Sequence, residues 1–479
     1  MTKSLFDAYD SGGFYCEMFA DGKRPPAHTR ALVTKLSKIK ESTLRRRAKA
    51  IDAELFNLGI TFTVYSEKER IDRILPFDVI PRILSRQEWN HIEQGCVQRV
   101  NALNEFIYDV YHGQKILRDK IIPAELVLEN SNFCKHMIGF DPPQKTYVHI
   151  AGVDLVRGGD GEFCVLEDNA RTPSGVSYVV ENRHLMRRAF PDLMDTLDVM
   201  PVSDYGSRLR NKLGQVVPKN AKSELVVLLS PGVFNSAYFE HVFLAREMGA
   251  PLVEGRDLVV QDDRVYMRTT DGLRQVHVIY RRIDDAFLDP DCFNPESMLG
   301  VRGLMKAYLA GNVNIANAVG TGFADDKEVY SYMPAIIKYY LDQDPILPIV
   351  PTNACRDKKM LDYTLENLES LVVKPVGESG GYGVVVGPRA SKAELQATRR
   401  LLRAKPSNFI SQPLIQLSVC PTLCENGIDA RHVDLRPYVL TGKDSWVLPG
   451  GLTRVAMRKG SFVVNSSQGG GTKDTWVIG

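Results

Sequence analysis

The sequence predicts an α/β (α+β) protein built from more than one lobe, and three observations carry that expectation. Leu225–Glu254 runs strand, loop, helix and strand over roughly thirty residues, the length of a βαβ unit. Short apolar runs between His432 and Asn465 repeat as an antiparallel set. Residues 29–120 instead carry mostly helical apolar spacing. With 479 residues, 44% apolar and 25% charged, the chain can bury a large core. Lys+Arg 60 against Asp+Glu 58 leaves a formal +2, without the electrostatic footprint of a nucleic-acid binder. No apolar leader opens the chain, and no apolar run reaches the roughly eighteen residues of a membrane span, so a cytoplasmic protein is expected. The eight cysteines are scattered, and Cys420/Cys424 lacks the second pair a zinc site needs, so reduced thiols are expected.

In chain order, the basic run Lys35–Lys49 reads as a solvated helix face. Ile60–Tyr65 reads as a strand-like interruption and Pro76–Pro81 as a turn region. Gln98–Leu117 is the clearest amphipathic helix, through Val100, Leu103, Phe106, Ile107, Val110 and Tyr111. Tyr147–Arg157, the turn Gly158–Gly161 and Phe163–Asn169 then read as a β-hairpin. Strand alternation points Glu167 and Asn169 to one side and Asp168 to the other, while Asp154 on the partner strand can face the first pair. Two carboxylates and an amide oxygen make a hard-oxygen set suited to Mg²⁺. An exposed acidic hairpin end is the alternative, and the tight turn Arg171-Thr-Pro173-Ser174-Gly175 that follows at once speaks against it.

In the βαβ region, polar residues at the strand ends (Asn235, Ser236, Arg281, Arg282, Asp284, Asp285) either line a ligand crevice or form an internal salt-bridged network. Asp326-Lys327 opens a helix, and a proline-rich connection leads to Leu371-Val-Val-Lys374-Pro-Val-Gly377-Glu-Ser379-Gly380-Gly381-Tyr382-Gly383-Val-Val-Val386. Two β-branched runs flank a loop of glycines, whose bare backbone N–H groups can approach an anion while Lys374 supplies a cation. The pattern is neither a Walker A loop nor a Gly-x-Gly-x-x-Gly entry to a helix, and a plain hairpin beside a surface lysine is the alternative. Phe409–Ile415, with Gln412, Pro413 and Leu414, reads as a hinge. Asp434, Arg436 and Arg454 can share one face of the antiparallel set, and a glycine-rich tail from Ser466 is taken to follow its last strand, Phe462–Asn465.

In this order the motifs resemble the core of an ATP-grasp enzyme, and more narrowly a circularly permuted one (type 2). They are similar to glutathionylspermidine synthetase-like and glutathione synthetase-like carboxylate–amine ligases. Lysine strand, glycine lid, Gln hinge, Asp434-x-Arg436, Arg454, Asn465 and Gly469–Gly471 follow the family order, whereas Gly152-Val-Asp154, Glu167-Asp-Asn169 and Pro173-Ser-Gly175 stand ahead of the βαβ unit instead of at the end. The apolar spacing makes 1–140 a mainly helical region, and the resemblance implies a permuted segment with the metal hairpin at 141–200, a Rossmann-like pre-ATP-grasp domain at 222–320, and lid, hinge and antiparallel core at 321–479. It implies ATP, with the adenine at Gln412, Pro413 and Leu414, phosphates on Lys327 and Lys374, and Ser379, Gly380, Gly381, Tyr382 and Gly383 as lid. Two Mg²⁺ would be held by Asp154, Glu167 and Asn169, Arg436 and Arg454 would be catalytic, and substrate would meet Arg171, Ser174, Asn235, Ser236, Arg282 and Asn465. The implied reaction is ADP-forming ligation of a small carboxylate to an amine or peptide through an acylphosphate, with neither nucleic acid nor membrane as partner. A phosphotransferase, or a nucleotide-binding protein without turnover, is the alternative. Two departures stand out: some family members carry arginine where this chain has Gly152, and the usual Pro-Gly turn reads Pro173-Ser174-Gly175. The permuted order also requires the C-terminal segment to lie beside the hairpin, and deleting Ser466–Gly479 is expected to abolish catalysis with modest loss of fold.

Overall fold

The computed structural model describes residues 5–19, 24–65, 70–194, 196–221, 223–377, 383–465 and 469–479. Ser379, Gly380, Gly381 and Tyr382 of the expected lid lie outside the described residues.

Two helices, α1 (Ala27–Leu36) and α2 (Glu41–Asn57), precede a hairpin of β1 (Thr61–Tyr65) and β2 (Arg70–Ile74). The expected turn region beyond it is instead β3 (Phe77–Ser85), a strand of nine residues with eight of them buried. Pro81 fits because β3 lies at the edge of its sheet and the pairing register shifts there, between Lys473 and Thr475 of the partner, so no ladder hydrogen bond depends on the missing N–H. The long helix α3 (Arg86–Tyr111) starts earlier than apolar spacing alone indicates, because Ser85 and Glu88 close a reciprocal capping box ahead of it. Its apolar face, from Trp89 to Tyr111, enters the main core.

The largest sheet gathers strands from both ends of the chain. β4 (Ile150–Arg157) and β5 (Phe163–Asn169) form the expected hairpin; β17 (Val419–Cys424), β18 (Gly427–Arg436), β19 (Tyr438–Thr441), β20 (Ser445–Val447), β21 (Leu452–Val455) and β22 (Gly471–Ile478) come from the C-terminal third. The order is β20-β19-β4-β18-β21-β22-β3, with β5 beside β4 and β17 beside β18. Between these come two smaller sheets. A parallel one, in the order β12 (Asn314–Ala316), β11 (Val278–Arg281), β6 (Val226–Leu229), β7 (Leu252–Val253), uses the helix Tyr238–Met248 as its crossover and carries a small meander of β8 (Leu258–Gln261), β9 (Arg264–Thr269) and β10 (Gly272–Gln275). An antiparallel one, in the order β13 (Asn353–Ala354), β16 (Phe409–Pro413), β14 (Leu371–Pro375), β15 (Val385–Val386), carries the lysine strand and the hinge.

Two expectations about the C-terminus are corrected. Phe462–Asn465 is not a strand: Phe462 stacks on His432 with ring centroids 4.2 Å apart, and the carbonyl of Asn465 accepts from the Gly470 amide at 3.0 Å. The tail does not follow the last strand, because β22 is itself a strand with all eight residues buried, antiparallel to β21 and parallel to β3. Its charges are matched inside. Lys473 pairs with Asp78 and also donates to the carbonyls of Ile80 (3.1 Å) and Pro421 (2.9 Å), while Asp474 meets Arg183 at 2.8 Å. Deleting this segment therefore removes an internal strand and uncovers buried partners, so loss of fold rather than selective loss of catalysis is expected.

Candidate active site

The hairpin register sets Asp154 opposite Glu167 and Gly152 opposite Asn169, with an irregularity just after the Asp154 pair. Asp168, one residue on from Glu167, turns to the other face, where Arg99 of α3 grips both its oxygens at 2.6 and 2.7 Å. On the cleft face, β18 and β21 bring Asp434 opposite Arg454. The Arg454 guanidinium bridges Asp434 (2.5 Å) and Asp154 (2.7 Å), and Arg436 adds a two-pronged contact to Asp154. Burial alone would raise the Asp154 carboxyl, but Arg436 and then Arg454 outweigh it and hold it well below the usual carboxylate range.

Glu167 is treated differently. Its nearest cations among the described residues, Lys327 Nζ and Arg436 Nη2, both stand at 4.0 Å. Burial first, then the negative charge of Asp154, push its carboxyl upward despite Lys327, Arg436 and Lys374 nearby. Asn169 donates its amide nitrogen to the Gly152 carbonyl at 3.3 Å, so the amide oxygen is the end left to face the cleft. Lys374, on β14, donates to Gln412 Oε1 at 2.6 Å across the β14–β16 pair, and Gln412 in turn donates to Thr352 at 2.8 Å. Burial lowers the Lys374 ammonium to about 8. Glu167, Asn169, Arg171, Asp325, Lys327 and Gly377 line an open cleft of about 420 Å³. Pro413 and Leu414 stand at the end of β16, and Gly383 re-enters the chain before β15 with φ +70°.

The profile of the circularly permuted ATP-grasp type 2 family matches residues 81–456. The chain belongs to that family. Among its relatives are an uncharacterized protein of Synechocystis sp., 49% identical over 98% of both chains, and a protein of Frankia alni whose name proposes a glutamate–cysteine ligase, 40% identical over 99% of this chain and 54% of its own length. A glutathione synthetase-like effector from Globodera pallida, solved in its apo form, shares the fold with a TM-score of 0.57 at 10% identity, covering 92% of this chain and 98% of that one. No helix among the described residues is long and apolar enough to cross a membrane.

In this ATP-grasp chain the Gly152 departure has a structural counterpart. A side chain at Gly152 would meet Arg436 Cδ at 3.2 Å and Pro173 Cβ at 3.3 Å, so Arg436 and Pro173 already occupy the space beside it. The Pro173–Gly175 turn is pinned from three sides. Arg282 donates to the Pro173 carbonyl (2.7 Å) and Ser174 Oγ (2.5 Å); Glu240 accepts from the Gly175 amide (2.7 Å); Arg436 and Tyr438 donate to the Ser174 carbonyl at 3.2 and 2.7 Å. Gly175 sits at φ +110° with Tyr438 2.7 Å from where a Cβ would be, so only glycine closes this turn. Arg282 and Ser174, expected at the substrate, thus spend their polar groups on the turn. Arg281 is internal, paired with Asp285 at 2.7 Å, whereas Asp284 is exposed. Asn235 caps its own loop by accepting from the Ala237 amide at 2.9 Å, and Ser236 is half-buried beside it.

Sequence reasoning missed Arg99, Glu240 and Asp325. Each lies far along the chain from the group it serves, and only Asp325, next to Asp326-Lys327, stood beside a recognised motif. Among the described residues no three acidic, histidine or cysteine side chains cluster tightly enough to hold a metal unaided. The donors here, Glu167 with no cation closer than 4.0 Å among the described residues and the outward Asn169 oxygen, nonetheless fit Mg²⁺, which completes its shell with water and substrate phosphates. Asp154 would join them only by giving up an arginine contact.

Proposed function

We propose that this protein is an ATP-dependent, ADP-forming carboxylate–amine ligase. The observation that carries the reading is Glu167, a carboxylate with its charge poorly compensated, facing one cleft with Asn169 and Lys327 while two further arginines are held ready on Asp154. Lys327 and Lys374 would bind the ATP phosphates, with the adenine edge against the backbone at Gln412–Leu414. Mg²⁺ held by Glu167 and Asn169 would supply charge neutralisation of the triphosphate. The substrate carboxylate oxygen attacks the γ-phosphorus, the bond to the bridging oxygen breaks, and ADP leaves. The amine then attacks the acyl carbon, losing a proton as phosphate departs. In both steps negative charge grows on oxygen, and Arg436 and Arg454, fixed by Asp154 and Asp434, are the preorganised cations that meet it. The sequence-based region limits, 1–140, 141–200, 222–320 and 321–479, divide the labour accordingly in this reading.

The test is ADP release with Mg-ATP against pooled amino acids, small peptides and polyamines, with glutamate tried first because the Frankia relative's name carries it. Release that needs both an acid and an amine is expected. Release with an acid but no dependence on amine would move the assignment to a phosphotransferase, and failure to bind Mg-ATP would end it.

A further inference from the structure

Beside the hairpin the cleft has a second wall, built around Gly322. A Cβ there would lie 2.7 Å from Asn132 Cβ and 2.8 Å from Arg171 Cδ, so the two side chains flank a floor that only glycine leaves open. Of the acids whose charge acts on Arg171, Asp325 lies against it, Asp285 is paired with Arg281 at 2.7 Å, and Asp284 is exposed to solvent, where its charge is screened. Asp325 accepts from Arg171 Nε at 2.7 Å and from the Ala170 amide; Asp326 caps the following helix through the Glu328 amide (2.8 Å) and takes Asn130 Nδ2 at 3.1 Å. What remains is the outer edge of the Arg171 guanidinium and the Asn132 amide. Neither Arg171 Nη1 or Nη2 nor the Asn132 side-chain amide has a hydrogen-bond partner among the described residues. Both line the same cleft as Glu167 and Asn169.

We infer that Arg171 and Asn132 hold the carboxylate of the acid substrate, the group that attacks the γ-phosphorus. This rests on the ligase reading above. A guanidinium edge matches the two oxygens of a carboxylate, and Asp325 fixes the Arg171 plane from behind through Nε, so little side-chain freedom is lost on binding. Asn132 adds one neutral donor. The backbone N–H of Asn132 donates to Asn130 Oδ1 at 3.0 Å, an Asx turn that fixes the backbone from which this side chain springs. Arg171 stands two residues after Asn169, so the bound carboxylate would lie on the Mg²⁺ side of the cleft.

Two measurements test it. Phenylglyoxal modification of the full-length protein, mapped by peptide mass spectrometry, should show Arg171 protected by L-glutamate, by glutarate or by an equimolar mixture of the twenty amino acids, in the presence of Mg-AMP-PNP. Mg-AMP-PNP alone should leave it reactive. Protection by none of the three, or complete protection by the nucleotide alone, would overturn the assignment. Calorimetry with Mg-AMP-PNP should find Asn132→Ala and Gly322→Ala within about twofold of wild type, while protection of Arg171 by the carboxylates weakens roughly tenfold or more. A parallel loss of nucleotide affinity would instead place the pair at the phosphates. Failure of the ligase reading is visible separately, as absence of Mg-AMP-PNP binding to the wild type.

Discussion

Glu167 and Asp168 are neighbours in one strand, yet their surroundings are opposite. Asp168 faces the core, where Arg99 meets both oxygens and Tyr330 lies 5.3 Å beneath the guanidinium. Glu167 faces the cleft, with no cation nearer than 4.0 Å among the described residues and Asp154 adding repulsion. The same chemical group is a satisfied structural element on one face and an under-compensated one on the other. Function here shows as charge that the fold leaves unbalanced, which a bound cation would balance.

The largest expected effect follows from Glu167→Gln. Turnover of ATP should fall on the order of 10²–10³-fold, the size seen when one preorganised electrostatic contact is removed. Stability should not fall. Because the Glu167 carboxyl is raised above its ordinary 4.5, the unfolded chain releases that proton first, so the group's contribution is greatest in acid and is lost as pH rises above that value. The neutral amide escapes the loss, and thermal unfolding near pH 7 should show the variant at or above wild type. A destabilised Glu167→Gln would erase the contrast between the two faces.

Asp168→Asn should do the reverse. Leaving Arg99 buried with half its partner is expected to cost about 3–5 kcal/mol in urea unfolding, while the ATP affinity of the folded fraction stays near wild type. Replacing both members, Arg99→Met with Asp168→Leu, should recover much of that loss. If the single variant lost nucleotide binding instead, Asp168 would belong to the site.

Alternation along the strand was enough to separate these two carboxylates before any coordinates, because a period of two is local information. Motif order likewise carried the permuted core. What the sequence did not disclose was pairing over long separations. Nothing near Asp168 names Arg99, and nothing near Gly175 or Ser177 names Glu240, since buried contacts over long separations leave no local pattern. Pro76–Pro81 reads as a turn because proline is a local turn signal, whereas an edge strand with a shifted register accepts it. The tail reading differs for a related reason: Phe462–Asn465 reads as the last strand and the glycine-rich segment as a site-lining tail after it, whereas Gly471 opens a strand whose partners are β21 and β3.

The smallest effect is a fraction of a proton, and it probes the cleft face alone. Lys374 sits where burial lowers its ammonium from 10.5 to about 8, with Gln412 as its direct partner. A folded value below the unfolded one means that the charged lysine costs stability in full below about 8, and that the cost is relieved as pH rises from there towards 10.5. A triphosphate placed against it reverses the shift, since an opposite charge favours the charged form. Binding Mg-ATP at pH 8 should therefore take up about half a proton, falling towards zero by pH 6, where the lysine is already charged. Calorimetry in two buffers of different ionisation enthalpy reads that number directly. Lys374→Met should abolish the uptake and weaken binding, and Lys374→Arg, charged throughout, should abolish the uptake while keeping part of the affinity. Uptake unchanged in both variants would mean that another group titrates, and that Lys374 is as fully satisfied by Gln412 as Asp168 is by Arg99.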